Sequence, residues 1–270
     1  MRIRRAFTLI ELLVVVAILA LLISILLPSL SKAKRQAKDT LCMAHLHQLS
    51  NAMVMFASEN NGKLGLPEGG ANSWWRNYLM PYLSGTANPV VRGDESNHLM
   101  CPMVTIEERS SAAQSYVPGT ATRAWKTYSN FSGAFIGAGS YGSNCWLRGW
   151  NEVTAYVPAG AIPSGENKGS YYYNRIERAR WPSETPAFGD CIFSGGWATD
   201  KDQPPSNLQT GDGVVDAPPG KYGINRFCIN RHNMAVNMSL LDGSVQRTGL
   251  ARLWRLRWNP KFTPRDVRVP

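Results

Sequence analysis

The polarity of the chain changes character along its length. From Leu12 to Leu27 every residue is apolar except Ser24, with Glu11 at the front of the run and Pro28 closing it. At 1.5 Å per residue, Phe7 to Leu30 is long enough to cross roughly 30 Å of hydrocarbon, so this stretch reads as a membrane-spanning helix. Beyond it, Cys42, Leu46, Leu49, Met53 and Phe56 recur at spacings of four and three, the period of a helix with one apolar face. The run ENNGK (Glu59 to Lys63) ends the pattern, with Gly62 as a natural C-terminal cap. The two patterns join into one helix of about 50 residues, roughly 75 Å long, half of it apolar all round and half packed on a sheet.

The remaining elements are shorter. Ser73 to Leu83 predicts a helix capped by Ser73, with Trp74, Trp75, Tyr78 and Leu79 as an aromatic cluster for core packing; a sugar-binding platform is the other use of such a cluster. From Cys101 to about Asn225 the chain is rich in Gly, Pro, Ser and Asn, broken by strand-like runs at Ser140 to Leu147 and Pro186 to Phe193. That pattern predicts an antiparallel sheet carrying long loops. Val236, Met238 and Leu240 then alternate with Asn237, Ser239 and Leu241, and Asp242-Gly243 signals a hairpin with a two-residue type I′ turn.

Glu11 is the misfit in this pattern. A charged side chain at the centre of a bilayer helix costs about 2.5 to 3.5 kcal/mol even on lenient insertion scales, so it needs a function or a neutralising partner. A cleaved secretory signal fits poorly, because its apolar core would be 7 to 15 residues. This run is longer, and the only weak cleavage site beyond it is Ser31-Lys32-Ala33.

The segment RRAFTLIELLVVVAILALLISILLP resembles the N-terminus of type IV prepilins and type II secretion pseudopilins. Met1 to Ala6 correspond to the family's basic leader, Phe7 to the first mature residue, Glu11 to its fifth-position glutamate and Pro28 to its proline. The departure is Ala6, where the family usually has Gly. The resemblance implies cleavage between Ala6 and Phe7 by a prepilin peptidase that also methylates the new amine. It also implies that Glu11 faces the N-terminal amine of a neighbouring subunit, since a buried carboxylate is tolerable when paired and costly alone.

A second resemblance lies near the C-terminus. His232, nine residues, then Asp242-Gly243 is similar to the H-x9-DG element of a large group of pseudopilin-like bacterial proteins, as are Cys42 to Lys63 and the Cys101-Pro102 pair. Together these imply an α+β, pilin-like fold: a long N-terminal membrane-spanning helix packed on an antiparallel β-sheet with long loop insertions. The expected organisation is a leader at 1–6, a transmembrane half-helix at 7–30, an extracytoplasmic half at 31–60, and a head at 61–270 with the hairpin element at 232–243.

Charge adds little to orientation. Arg2, Arg4 and Arg5 precede the helix and Lys32, Lys34, Arg35 and Lys38 follow it, so the positive-inside rule is nearly balanced. Only the resemblance places the leader in the cytoplasm, the anchor in the bacterial inner membrane as a single pass, and the head in the periplasm or at the cell surface. Net charge is +10 from 29 basic and 19 acidic residues; removing the three leader arginines leaves 26 basic residues and +7. Such a balance suits anionic lipid, acidic polymers or nucleic acid and selects none of them.

Candidate chemistry is sparse. The five cysteines, Cys42, Cys101, Cys145, Cys191 and Cys228, include no C-x2-C pair, which argues against a zinc ribbon. In an exported chain disulfides are permitted; Cys42 with Cys101 is the first pairing to expect, although connectivity is not readable from sequence. Cys42 and His45 stand at helical spacing for a metal pair, but His45 and His47 read as polar residues flanking a packed helix. Asp200, Asp202, Asp212 and Asp216 fall within Thr199 to Lys221 at spacings that do not match an EF-hand, so a solvated surface loop is expected. Ten residues of extended strand put His232 and Asp242 roughly 33 Å apart, which excludes a dyad within one straight hairpin. No G-x-S-x-G, H-E-x-x-H or phosphate-binding glycine loop occurs.

The tail from Ala251 to Pro270 interleaves Trp254 and Trp258 with Arg252, Arg255 and Arg257, a pattern that can track nucleic acid or can pack on a sheet with arginine stems along its edge. The sequence therefore predicts a non-enzymatic structural subunit without cofactor or metal. It would assemble with itself and other pilin-like subunits into a type IV pilus-like or secretion pseudopilus fibre, alongside pilus or secretion machinery. The alternative is a surface protein that uses the same anchor to present a polysaccharide- or DNA-binding head.

Overall fold

The computed structural model describes residues 9–65, 75–84, 100–106, 116–128, 135–149, 162–212 and 222–270. Helix α1 runs without a break from Leu9 to Glu59 and includes Pro28. Its first half is exposed all round and is long and apolar enough to cross a membrane. Within that half the Ser24 hydroxyl donates back to the Leu21 carbonyl at 2.7 Å, so the one polar residue of the apolar run is satisfied inside its own helix.

The outer half buries the predicted stripe. Cys42, Leu46, Leu49, Met53 and Phe56 face inward, joined by Ser50, Ala52 and Ala57, and pack on α2 and on the central sheet. The helix stops where two consecutive residues, Asn61 (φ 53°) and Gly62 (φ 76°), turn left-handed. The Gly62 N–H then donates to the Ala57 carbonyl at 2.7 Å, a six-to-one closure that satisfies an orphan carbonyl of the last turn.

Helix α2 (Trp75–Ser84) lies against α1. Trp75 is fully buried and packs at a tilt against Phe188 with centroids 5.1 Å apart, and Phe56 meets Tyr78 at 4.7 Å. The aromatic cluster is therefore core. Ser73 and Trp74, expected to cap and extend it, lie outside the described residues, as do the leader, the Ala6–Phe7 junction and Asp216.

Strands β1 (Tyr116–Val117), β2 (Trp125–Tyr128) and β3 (Phe135–Gly139) form a small antiparallel sheet. The central sheet contains β4 (Tyr141–Asn144), β5 (Pro186–Asp190), β6 (Gly195–Gly196), β7 (Ala235–Leu240) and β8 (Val245–Gly249), in the order β6-β4-β5-β7-β8. Its pairs are antiparallel except β4 with β6. The chain reverses after β5 but passes β4 before pairing, so the returning segment lies on the far side of β4 and shares its direction. The layout is α+β and pilin-like, with a mixed rather than purely antiparallel sheet. Five tryptophans, Trp75, Trp125, Trp146, Trp254 and Trp258, fill the core. Each indole N–H reaches a backbone carbonyl, at Ser194, Tyr141, Ala198, Asp202 and Leu253 respectively, which removes the cost of burying a polar atom.

The β7–β8 hairpin differs from the expected type I′ turn. Gly243 alone in the turn has a positive φ, 87°. Its N–H donates to the Leu240 carbonyl at 3.0 Å, while the Leu240 N–H donates to the Ser244 carbonyl at 2.8 Å. The connection is thus a three-residue loop, Leu241 to Gly243, of the turn-plus-left-handed-residue kind. Asp242 stays out of the left-handed region because its carboxylate caps Ser244, accepting from the backbone N–H at 3.0 Å and the hydroxyl at 2.6 Å.

Candidate functional site

Four side chains from distant parts of the chain converge where α1 meets the central sheet. Cys42 projects from the buried face of α1, Cys101 follows Met100 in a loop, Asp190 ends β5, and His232 precedes β7. Their sulfur, nitrogen and oxygen atoms all lie within 4.8 Å of one another. All four residues are buried, His232 the most exposed at 2%.

Local structure aims each of them. Asn233 and Met234 both take left-handed conformations after His232, and the His232 N–H donates to the Ala235 carbonyl at 3.0 Å, a tight reversal that holds the residue at the start of β7. The Cys101 N–H donates to the Ser140 hydroxyl at 2.6 Å, which ties that loop to the residue before β4. Tyr141 donates its hydroxyl to the Cys42 carbonyl at 3.4 Å.

His232 Nε2 lies 3.5 Å from the sulfur of Cys42, 3.5 Å from that of Cys101 and 3.0 Å from Asp190 Oδ2. The other ring nitrogen, Nδ1, is held by Asp39, one helical turn before Cys42. Asp190 accepts from the Asn237 N–H at 2.8 Å and from Arg231 Nη1 at 3.0 Å. Arg231 is itself buried and spends its remaining donors on the carbonyls of Ser140, Ala121, Thr120 and Cys191.

These contacts set the charges. Burial alone would raise the Asp190 carboxyl, but His232 and Arg231 hold it down at about 2. Burial works against a proton on His232; the charge and hydrogen bond of Asp190 overcome it and carry the imidazole up to about 11. Cys101 feels burial upward, yet hydrogen bonds from Cys42 and His232 and the Arg231 charge bring it down to about 7. Cys42 is pushed well up by burial and by its neighbours Cys101 and Asp190.

The structure brings the two cysteines expected to pair to one place, but as free thiols that share an imidazole rather than as a disulfide; Cys145, Cys191 and Cys228 are likewise free. The imagined Cys42–His45 pair does not form. His45 Nδ1 lies 3.0 Å from the Met100 carbonyl, while Cys42 turns to His232. Asp242 and Gly243 sit at the far end of β7 from His232, in the hairpin turn. Glu11 lies exposed in the first turn of α1.

The aspartate-rich loop departs from the solvated surface expected of it. Asp202 is 4% exposed and accepts from the Thr199 and Ile224 N–H groups and the Thr199 hydroxyl. Asp212 caps Ser206 and Asn207. In the tail, Trp254 and Trp258 point into the core, Arg255 pairs with Asp266, and Arg257 bonds Glu184 and lies over the Trp181 ring at 4.0 Å. These indoles offer no face on which a base could stack.

Asp39, Asp190, Arg231 and Asn237 were not singled out from sequence. Asp39 was detectable as a carboxylate on the face of Cys42, and Asp190 as the acid inside the apolar run PAFGDCIF. Nothing marked Arg231 or Asn237 beyond their nearness to His232.

Comparison with known proteins bears on the other end of the chain. Residues 1–27 match the family described as the prokaryotic N-terminal methylation motif. The chain is also 43% identical over 61 residues to the type IV wide pilus major component PilA4 of Thermus thermophilus, covering 23% of this chain and 47% of that protein. It thus spans about half the length of that relative. No solved structure matches. The chain carries a prepilin-type N-terminal methylation motif on a helix long and apolar enough to span a membrane, and it is similar to a type IV pilin over less than a quarter of its length.

Proposed function

We propose that the chain is a membrane-anchored, pilin-like structural subunit, cut between Ala6 and Phe7 by a prepilin peptidase, methylated at the Phe7 amine, and assembled through α1 into a type IV pilus-like or secretion pseudopilus fibre. The observation that carries this reading is the division of α1. Its first half carries most of the methylation motif and buries nothing in its own head, whereas its second half supplies the head's buried stripe. A helix built this way has one half free for lipid before assembly and for neighbouring helices afterwards. Lys32, Lys34 and Arg35 are exposed just past the apolar run, where anionic headgroups of the inner membrane would lie, with the head on the periplasmic or outer side.

Glu11 acts here as a register device: a subunit staggered wrongly would leave its carboxylate and a neighbour's terminal ammonium unmatched in an apolar bundle. The interior placement of Trp254 and Trp258 supports a packed structural head over a nucleic-acid reader. Intact-mass and N-terminal peptide analysis of native protein tests the proposal. A mature chain starting at methylated Phe7 and recovered in sheared fibres is expected; a chain that keeps Met1 to Ala6, or one that begins beyond Ser31, would overturn it.

A further inference from the structure

We infer that Cys42, Cys101, His232 and Asp190 form a closed tetrahedral site for a borderline-soft divalent cation of the Zn2+ class, which fastens the outer half of α1 to the head. The donor set is the first argument. Two sulfurs, an imidazole and one carboxylate suit zinc and are wrong for calcium or magnesium, which take oxygen ligands in larger number.

Geometry is the second. A tetrahedron with metal–sulfur bonds near 2.3 Å and metal–nitrogen or metal–oxygen bonds near 2.0–2.1 Å has edges of about 3.6 Å from sulfur to nitrogen or oxygen, and about 3.4 Å from nitrogen to oxygen. Here both sulfur–nitrogen edges are 3.5 Å, Cys42 Sγ to Asp190 Oδ2 is 3.8 Å, and His232 Nε2 to the same Oδ2 is 3.0 Å. These four edges stand within a few tenths of an ångström of those such a cation would impose, and all the donor atoms lie within 4.8 Å of one another.

The surroundings supply the third argument. Metal-bound histidines commonly give their other ring N–H to a carboxylate, which fixes the tautomer and points the free lone pair at the ion. Asp39 occupies that place at Nδ1, so Nε2 faces the sulfurs. Arg231 and the Asn237 N–H orient Asp190 in the same way. Among the four ligands and Arg231 charge closes: two thiolates and one carboxylate bring three negative charges, which Arg231 and a divalent cation balance, while the Asp39 carboxylate behind the imidazole stands partly exposed to solvent. The protons of both thiols and any proton on Nε2 pass to solvent as the ion enters. With four protein ligands and no solvent-facing position, the site is structural rather than catalytic.

The binding site stands on these residues alone; its mechanical use, holding the head to the helix that bears load in a fibre, rests on the pilin-like reading. The test uses the full chain purified in detergent, supplied with zinc chloride and then desalted. About one zinc per chain is expected, falling towards zero in Cys42→Ser and Cys101→Ser and unchanged in Cys228→Ser. Cobalt exchanged into the unmutated chain should show sulfur-to-cobalt charge-transfer absorption, a readout that holds even where a serine variant fails to fold. Alkylation after denaturation in chelator should recover Cys42 and Cys101 as thiols. A Cys42–Cys101 cross-linked peptide in a chain without metal, no charge-transfer band with cobalt, or zinc retained by a Cys42→Ser/Cys101→Ser double variant would each overturn the site. Normal zinc content in a chain that forms no fibres would leave the site standing and sink the mechanical role alone.

Discussion

His232 Nε2 lies 3.5 Å from the sulfur of Cys42, across 190 residues of chain. The contact joins the start of the last hairpin to the middle of the N-terminal helix. It explains why α1 enters the head along one face only: Cys42 is the first fully buried residue of the helix, and the buried stripe runs from there to Ala57. The same α-helix is thus surface on one side of Cys42 and core on the other.

That division predicts different responses to the same substitution. Leu46, one turn beyond Cys42, is fully buried, so Leu46→Ala should cost the head about 2–5 kcal/mol through lost contacts and the cavity left behind. Leu22 is exposed in the apolar half, and Leu22→Ala should leave head stability unchanged. Denaturant unfolding of the detergent-solubilised chain, followed by tryptophan fluorescence, compares them. Equal losses would show that the apolar half also packs on the head.

Glu11→Ala removes a carboxylate from the apolar helix, where a charge costs up to about 2.5–3.5 kcal/mol at a bilayer centre and less towards its edge, so the variant should insert at least as well as the unaltered chain. If Glu11 sets register against a neighbour's terminal amine, assembly should nevertheless fall sharply. Membrane fractionation and fibre recovery would then diverge. Matching losses in both, or normal fibres, would remove Glu11 from the assembly mechanism.

Much of the fold was legible because periodicity reports burial directly. The stripe from Cys42 to Phe56 named the face of α1 that packs, and the alternation from Val236 to Leu240 named β7. The buried cluster was only half legible. Cys42, Cys101 and His232 stood out by residue type and by likeness to a family, but Asp190 and Arg231 acquire their roles from strand pairing and from the turn before β7, neither of which leaves a local pattern. The aspartate-rich loop misled for a related reason. Clustered aspartates read as solvated, whereas Asp202 is buried because Thr199 and Ile224 turn their N–H groups onto it. The turn type was missed because the cap from Asp242 to Ser244 competes with the left-handed conformation that type I′ requires.

Asp202 makes the head sensitive to pH. Burial raises its carboxyl to about 6 against a usual 3.8, with the hydrogen bonds from Ile224 and Thr199 opposing the shift only in part. A carboxyl raised on folding binds its proton more tightly in the native state, so its contribution favours folding at low pH and declines as pH rises through about 6. The full loss is on the order of 2–3 kcal/mol at 1.36 kcal/mol per pKa unit. Asp202→Asn keeps an acceptor for both N–H groups and can donate to the Thr199 hydroxyl. The difference in stability between this variant and the parent should therefore grow between pH 4 and 6, then level off. A flat difference across that range, from denaturation at several pH values, would mean that Asp202 stays ionised throughout.

The hairpin turn isolates a purely backbone effect. Gly243 has φ 87°, and a Cβ placed there would meet nothing within 4 Å, so any cost of substitution comes from conformation and not from a clash. A β-branched residue resists that conformation strongly: Gly243→Val should cost about 1–3 kcal/mol. Gly243→Asn should cost less, about 1 kcal/mol or under, because Asn visits the left-handed region readily. The turn also sets the register in which Ser239 faces Val245 and Ala235 faces Gly249. A slip of one residue would turn every side chain of one strand to the opposite face. Gly243→Val should therefore loosen the His232 end of β7 as well as the turn, and hydrogen exchange at the Val236 and Met238 amides, which face β8, should accelerate more in the valine variant than in the asparagine one. Equal destabilisation by the two variants would show that the left-handed residue is not what the turn depends on.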